Sequence, residues 1–345
     1  MYFALAFHKF PSMKITLTLI ITGLLSISLL AAESEKKADA PAPTAPAKPV
    51  LKIIPGQVIV PFDTMRRPWG EVISIDLATR TGKFRNESND EVMSFTALPY
   101  AEMLHHATFG DLSDYKVGER VIFRLHPNDA GEWVWLTYIQ DEMNMLHGHK
   151  EYYHVDQIDA DKKTITFTQA NADQSYVREK GLVLETDAET QFWKEGEQAK
   201  FSDIKLGDKL RAKSHGRGKG KVRVAWDVFL DDASLLKFQN EQKEVHLAKM
   251  KTDGCPGYVD SFENGEVQLT MFQEGTDLVS KYHFKQRVAL ASANVDRKAK
   301  GEPKPATIVT TKTQGKLVKM TLKTDLPAGT WKSGDLVRLW LAEPK

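Results

Sequence analysis

The 345 residues contain a single cysteine, Cys255, so no disulfide can form within the chain and its stability has to come from packing. Net charge is just as scarce: 47 Lys and Arg stand against 46 Asp and Glu, leaving +1. A protein that binds nucleic acid normally shows a basic excess on its binding domain, so this balance argues against that class of partner. Long apolar runs are missing too. The run from Ile15 to Leu30 covers about 16 residues, where a helix needs roughly 20 to cross a bilayer. The sequence also lacks a G-x-S-x-G elbow and a P-loop, and Cys255 sits in a DGCPG turn with no histidine beside it. Nucleophilic catalysis and phosphate transfer therefore have no motif to rest on. No catalytic or cofactor-binding set is expected, and the protein reads as non-enzymatic.

The N-terminus carries an address. Lys14, the apolar run and then Ala31 and Ala32 follow the order basic, apolar, small of a secretory signal. We expect residues 1–32 to be that signal, started at Met1 or Met13, and the remainder to be periplasmic or extracellular. The membrane is then a partner only through an uncleaved signal. No cysteine lies near Ala32, which excludes lipid attachment there. Residues 33–50, rich in Pro and Ala, hold too few large apolar side chains to offset the entropy of ordering and read as a disordered spacer.

An internal repeat organises the rest. LSDYKVGERV (Leu112 to Val121) and FSDIKLGDKL (Phe201 to Leu210) share Ser, Asp, Lys and Gly at the same spacing. In both copies a second Gly follows 13 residues after the first, at Gly131 and Gly220, and opens an apolar-rich run that ends in paired acids, Asp141/Glu142 and Asp231/Asp232. The copies also begin alike, with GEVISIDLATRTGKF from Gly70 and YHVDQIDADKKTITF from Tyr153, each a strand, an Ile-Asp turn and a second strand with alternating apolar residues. A weaker third copy starts at Gly257 and closes with WKSGDLVRLWL, where Lys332, Gly334 and Asp335 hold the motif positions. The element K-x-G-[DE] reads as a tight turn before a closing strand, with Gly at positive φ and solvated charges around it.

The expected fold is mainly β: three tandem small OB-like or Greek-key barrels, with module 1 over residues 51–146, module 2 over 147–231 and module 3 over 254–345. Residues 232–253 form a linking helix, capped at Asp231 or Asp232 and stopped by Gly254. The segment Pro99 to Leu112 reads as a short helix or a long loop. Trp69, Trp133, Trp135, Trp193, Trp226, Trp331 and Trp340 read as barrel core and contacts between modules.

The repeat unit, with its Ile-Asp turn and closing [LI]-K-x-G-[DE]-x-[VL], resembles domains of unknown function in exported bacterial proteins. Including SFTALPYAEM and the DDAS-plus-helix segment, most of the chain resembles a family of uncharacterised exported proteins of that kind. The unit is also similar to the small barrel of periplasmic copper chaperones. That resemblance implies the fold and not the metal site. Met93 matches one copper-binding Met, Phe95 stands where the second would fall, and the matching earlier position holds no His.

The densest set of potential ligands is DEMNMLHGHKEYYH, with Met143, Met145, His147, His149 and His154. Thioethers with imidazoles suit Cu(I), and imidazoles alone suit Zn or Cu(II). On an extended strand, His147 and His149 would share a face. The alternative is a linker whose Met residues pack and whose His residues are solvated. His105 and His106 join the set only if the fold brings them close. The acid pairs read as strand ends and helix caps, and the basic stretch Ala212 to Val224 as a solvated hairpin tip. A binding or scaffold role toward an unknown protein or cell-envelope component leads, with copper or zinc binding as the alternative.

Overall fold

The computed structural model describes residues 65–341. The expected signal, the expected spacer and the outer ends of the first and third modules as expected lie outside them. The described residues form three small closed β-barrels joined by few helices, in the order the repeat implies.

In the first barrel, β1 (Trp69–Asp76) pairs antiparallel with β2 (Thr81–Asn86) and with β5 (Arg120–Pro127), and β2 pairs with β3 (Val92–His105). β5 pairs with β6 (Trp133–Asp141), and β3 runs parallel to β6 and closes the ring. The short β4 (Thr108–Phe109) extends β3 as a hairpin. Alternating inward residues fill the centre, including Val72, Phe84, Phe95, Phe123, Leu136 and Ile139. Phe84 and Phe123 stack with centroids 3.9 Å apart.

After α1 (Glu142–Gly148) the second barrel repeats that topology. β7 (Glu151–Asp159) pairs with β8 (Thr164–Asn171) and with β12 (Lys209–His215), and β8 pairs with β9 (Val177–Glu185). β12 pairs with β13 (Val222–Phe229), which runs parallel to β9. A hairpin of β10 (Gln191–Lys194) and β11 (Glu197–Ala199) lies along β13. Both barrels thus have the five-stranded ring with one parallel contact that marks the OB arrangement.

The third barrel follows α2 (Asp232–Asp253) and departs from the first two. Its ring is β14 (Cys255–Glu263), β15 (Glu266–Met271), β18 (Leu317–Lys323), β17 (Ala299–Gln314), β16 (Arg287–Ala293) and β19 (Leu336–Leu341). Six strands, all antiparallel, return on themselves in Greek-key fashion. The short α3 (Thr276–Val279) contributes Val279 to the core. Met250 enters that core from α2, and Cys255, fully buried, is a small core residue there.

The repeated motif has the same geometry three times. Gly118, Gly207 and Gly334 adopt φ of 88°, 82° and 90°, a left-handed conformation that favours glycine. In each copy the acid side chain accepts the backbone N–H of the motif's lysine: Glu119 from Lys116 at 3.0 Å, Asp208 from Lys205 at 2.8 Å and Asp335 from Lys332 at 2.9 Å. The acids therefore close the turn rather than solvate it. Each Gly donates its N–H to a buried valine of the opening strand, Val72, Val155 or Val259, and each valine donates back to the carbonyl of the motif's acid. All three valines sit at a β-bulge in the first hairpin of their barrel. The motif clamps the closing strand to the bulge, where the opening strand's backbone groups would otherwise lack partners.

Two expectations are corrected. Residues 99–105 are neither loop nor helix but the end of β3, which pairs with β6 at Glu102, Met103 and Leu104. The signal was masked by Pro99, which falls at the register break between Ala97 and Glu102, where a missing N–H costs no ladder bond. The tryptophans are core only in part. Trp331 is buried in the third core, Trp133 and Trp193 are half-buried against the first and second cores, and the other four are half-buried. Arg66 lies over Trp133 and Arg120 over Trp69, at 4.3 and 3.8 Å, so these rings pack under cationic lids.

Candidate functional site

The ligand set around residue 147 starts on a helix rather than a strand. Asp141 caps α1, its Oδ1 accepting the Asn144 N–H at 2.8 Å. The helix buries Met143 completely in the core of the second barrel beside Leu146, and half-buries Met145 against the same core. His147 lines a cavity of about 670 Å³ with Arg211, Asp232 and Tyr152; burial and then Arg211 lower its pKa. His149 is the helix C-cap. His154 is buried with both ring nitrogens engaged, Nε2 at 2.8 Å from the Asn171 carbonyl and Nδ1 at 3.2 Å from the Gln174 amide. Among the described residues, His147, His149 and His154 belong to neither of the two groups of metal-ligating side chains that converge, which are His105/His106/Asp141 and Asp187/Glu189/His215.

The acid pairs are caps with a further use. Asp141 and Asp231 occupy equivalent places. Asp231 Oδ1 accepts the Ser234 N–H at 2.7 Å to start α2, and its Oδ2 accepts the Glu195 N–H at 2.7 Å. Asp141 Oδ2 accepts the His106 N–H at 2.9 Å. His106 and Glu195, with φ of 50° and 53°, are the left-handed corners of matching hairpins. The second acid of each pair binds an arginine that lies over an aromatic ring: Glu142 takes Arg120, which covers Trp69, and Asp232 takes Arg211, which covers Tyr152.

The junction between the first two barrels holds a buried polar cluster built on these devices. Glu119 is one carbon longer than its counterparts Asp208 and Asp335. One of its oxygens closes the motif turn and the other reaches Lys213 Nζ on β12, at 2.8 Å. Lys213 Nζ also lies 3.0 Å from His105 Nε2. His106 and Asp141 complete the group, and the Tyr115 hydroxyl donates to the Leu104 carbonyl at 2.8 Å beneath it. Glu119 is 1 % exposed and Lys213 5 %. Burial opposes the charge on both, and their attraction outweighs it: Lys213 and His105 hold the Glu119 carboxyl well below the usual carboxylate range, while Glu119 and Asp141 hold the Lys213 ammonium above its ordinary value. His106 is kept neutral by burial and by Lys213. The ring Nδ1 atoms of His105 and His106 have no hydrogen-bond partner. A resident ammonium thus sits among the groups that would hold a cation.

Lys213 and Glu119 were not legible as a site in the sequence. Lys213 begins a basic stretch that reads as a solvated tip, yet Lys213, Ser214 and His215 are buried, and Lys213 and His215 both meet Glu119 of the first barrel. The available signal was the alternation along β12, where Leu210 and Ala212 face the barrel interior and the odd-numbered residues face outward. The tip itself is solvated, and Lys219 pairs with Asp90 at 2.7 Å on the surface.

No family model and no curated protein matches this chain. Among solved structures, a copper(II)-bound variant of CusF from Escherichia coli is similar at 20 % identity, over 24 % of this chain and 95 % of that one, with a TM-score of 0.18. No helix among the described residues is long and apolar enough to cross a membrane.

Proposed function

We propose that this is an exported, non-enzymatic binding or scaffold protein that offers the junctions between its barrels to a partner, an envelope component or another protein. The observation that supports this reading most is the use made of the repeated polar residues. The acids of all three motif copies close turns, the acid pairs cap helices, and the buried Glu119 is neutralised by Lys213. Side chains tied down in this way build a rigid frame and leave few groups to act as acid, base or nucleophile. The check is a panel of ester, phosphoester, glycoside and peptide substrates offered to the full chain. No turnover is expected, and turnover abolished by changing one acid or histidine would sink the reading.

A second reading is copper or zinc binding, through Met143, Met145, His147, His149 and His154 or through His105, His106 and Asp141. The convergence of the latter three, with ligand atoms within 4.8 Å of one another, favours it. Lys213 weighs against it, because a metal ion there must displace or deprotonate the ammonium. Anaerobic Cu(I) and Zn(II) titrations decide between the two sets. If His147→Ala with His149→Ala, and separately His105→Ala with His106→Ala, leave stoichiometry and affinity unchanged, metal binding by these residues fails.

A further inference from the structure

Near its C-terminal end, α2 passes over a second junction, between the first and third barrels, where positive charge exceeds its partners. A cavity of about 590 Å³ opens there, lined by five cationic side chains and three carboxylates. Three of the cations are buried arginines from separate elements: Arg80 in the β1–β2 turn, Arg297 in the β16–β17 turn and Arg338 on β19, each 3 % exposed.

Their neutralisation is incomplete. Asp111 is shared by Arg80 at 2.9 Å, by Lys249 of α2 at 2.8 Å and, more distantly, by Arg297 at 3.9 Å. Arg297 has a second acid in Glu274. Arg338 makes its direct contacts with carbonyls, donating from Nη1 to Gly254 at 2.8 Å and from Nε to Arg297 at 2.5 Å, and feels Asp253 and Asp111 only as longer-range attraction. In the first two barrels the arginine of the strand that follows the motif turn, Arg120 on β5 and Arg211 on β12, meets an acid at the start of a helix; Arg338 on β19 makes no such ion pair among the described residues. The Nε atoms of Arg80 and Arg297 are buried and without a hydrogen-bond partner, a state that costs free energy.

The backbone adds an independent observation. Arg80 and Arg297 both sit at left-handed φ, 55° and 69°, a conformation unfavourable for a long side chain. The same left-handed corner recurs elsewhere, as at Lys163 and Asn264 in the first hairpins of the other two barrels, and here two such corners each deliver a guanidinium to the same cavity.

We propose that this junction binds a small oxyanion, a phosphate or carboxylate group, held by Arg80, Arg297, Arg338 and Lys249. The proposal rests on the reading of the junctions as binding sites and names the ligand chemistry of one of them. Guanidinium forks match the two oxygens of such a group, and an anion relieves the repulsion among buried like charges that Asp111, Glu274 and Asp253 only partly offset.

The test is calorimetric titration of the full chain at low ionic strength, with sodium phosphate in one arm and sodium citrate in the other. We expect saturable binding of one anion per chain, weakening as salt is added; the tighter arm tells phosphate from carboxylate as the source. Arg297→Gly removes a guanidinium while relieving its backbone, and should weaken binding at least tenfold. Arg338→Gln, also checked by circular dichroism, guards against a folding defect in the first variant. Lys219→Ala, at the distant contact with Asp90, should change nothing. If neither anion binds saturably, or if both arginine variants bind as the parent does, the proposal is overturned. Failure here beside a blank substrate panel removes only the anion assignment, whereas turnover in that panel removes the binding reading and leaves an anion titration standing.

Discussion

One added methylene separates a turn-closing acid from an inter-barrel anchor. Asp208 and Asp335 end at their own turns, whereas Glu119 in the same position closes its turn and reaches Lys213. The glycines beside these acids carry the clearest single-residue prediction. At Gly207 a Cβ would meet nothing within 4 Å, yet φ is 82°, so Gly207→Ala should cost about 1–2 kcal/mol from backbone strain alone. Gly148, equally open but not left-handed, is the control, and chemical denaturation of both variants makes the comparison. A second prediction concerns His246, which is buried with Nε2 at 2.9 Å from the Glu274 carbonyl. Burial, then Arg297 and Lys249, against the opposing pull of Asp114 and Asp111, bring its pKa down to about 4 from 6.5. Between those values the unfolded chain binds more protons than the folded one. Stability is therefore fully present above about pH 6.5 and falls as pH drops toward 4, by up to about 3 kcal/mol from this residue; His106 acts in the same direction. Urea midpoints at pH 7 and pH 5 should separate less in His246→Gln than in the parent. An unchanged separation rules His246 out as the source.

The helices show how far local rules reach at the level of the element. α2 starts at the Asp231 cap and stops at Gly254, with φ of 78°, because capping and left-handed glycine are decided by a few neighbouring residues. Asp231→Ala removes acceptors for both the Ser234 and the Glu195 N–H. It should cost about 1–2 kcal/mol, read from thermal unfolding, with exchange protection lost first at the start of α2 and in the β10–β11 turn. α1 was harder to see. Its sequence offers two histidines at strand-like spacing, but the Asp141 cap and the burial of Met143 and Leu146 in the second core make it a helix. The end of β3 was missed for a related reason, since its pairing partner, β6, lies some 35 residues further along the chain and tertiary pairing overrides local preference.

Across the whole molecule, α2 is the strut. Leu235 packs in the second core and Met250 in the third, while Gln242 and Lys249 donate to Asp114 and Asp111 of the first barrel. The Lys213–Glu119 pair ties the first two barrels together, reinforced by the Gly216 N–H donating to the Gly118 carbonyl at 3.0 Å. Removing one partner of a buried pair leaves an uncompensated charge, so Lys213→Met should destabilise by about 3–5 kcal/mol. Glu119→Gln in the same chain should recover part of that loss. A double-mutant cycle in denaturant measures the coupling, and additive effects would mean the pair does not join the barrels. The β-rich class, the repeat, the linking helix and the turn geometry of the motif were all legible in the sequence, because alternation, caps and positive-φ glycines act over a few residues. Which polar residues meet was not. His105, His106, Asp141, Lys213 and Glu119 come from different strands and turns of two barrels, and Arg80, Arg297 and Arg338 from two. A buried charge is stable only beside partners that chain closure and barrel docking bring to it. That pairing is a property of the tertiary structure, and it is where the candidate sites lie.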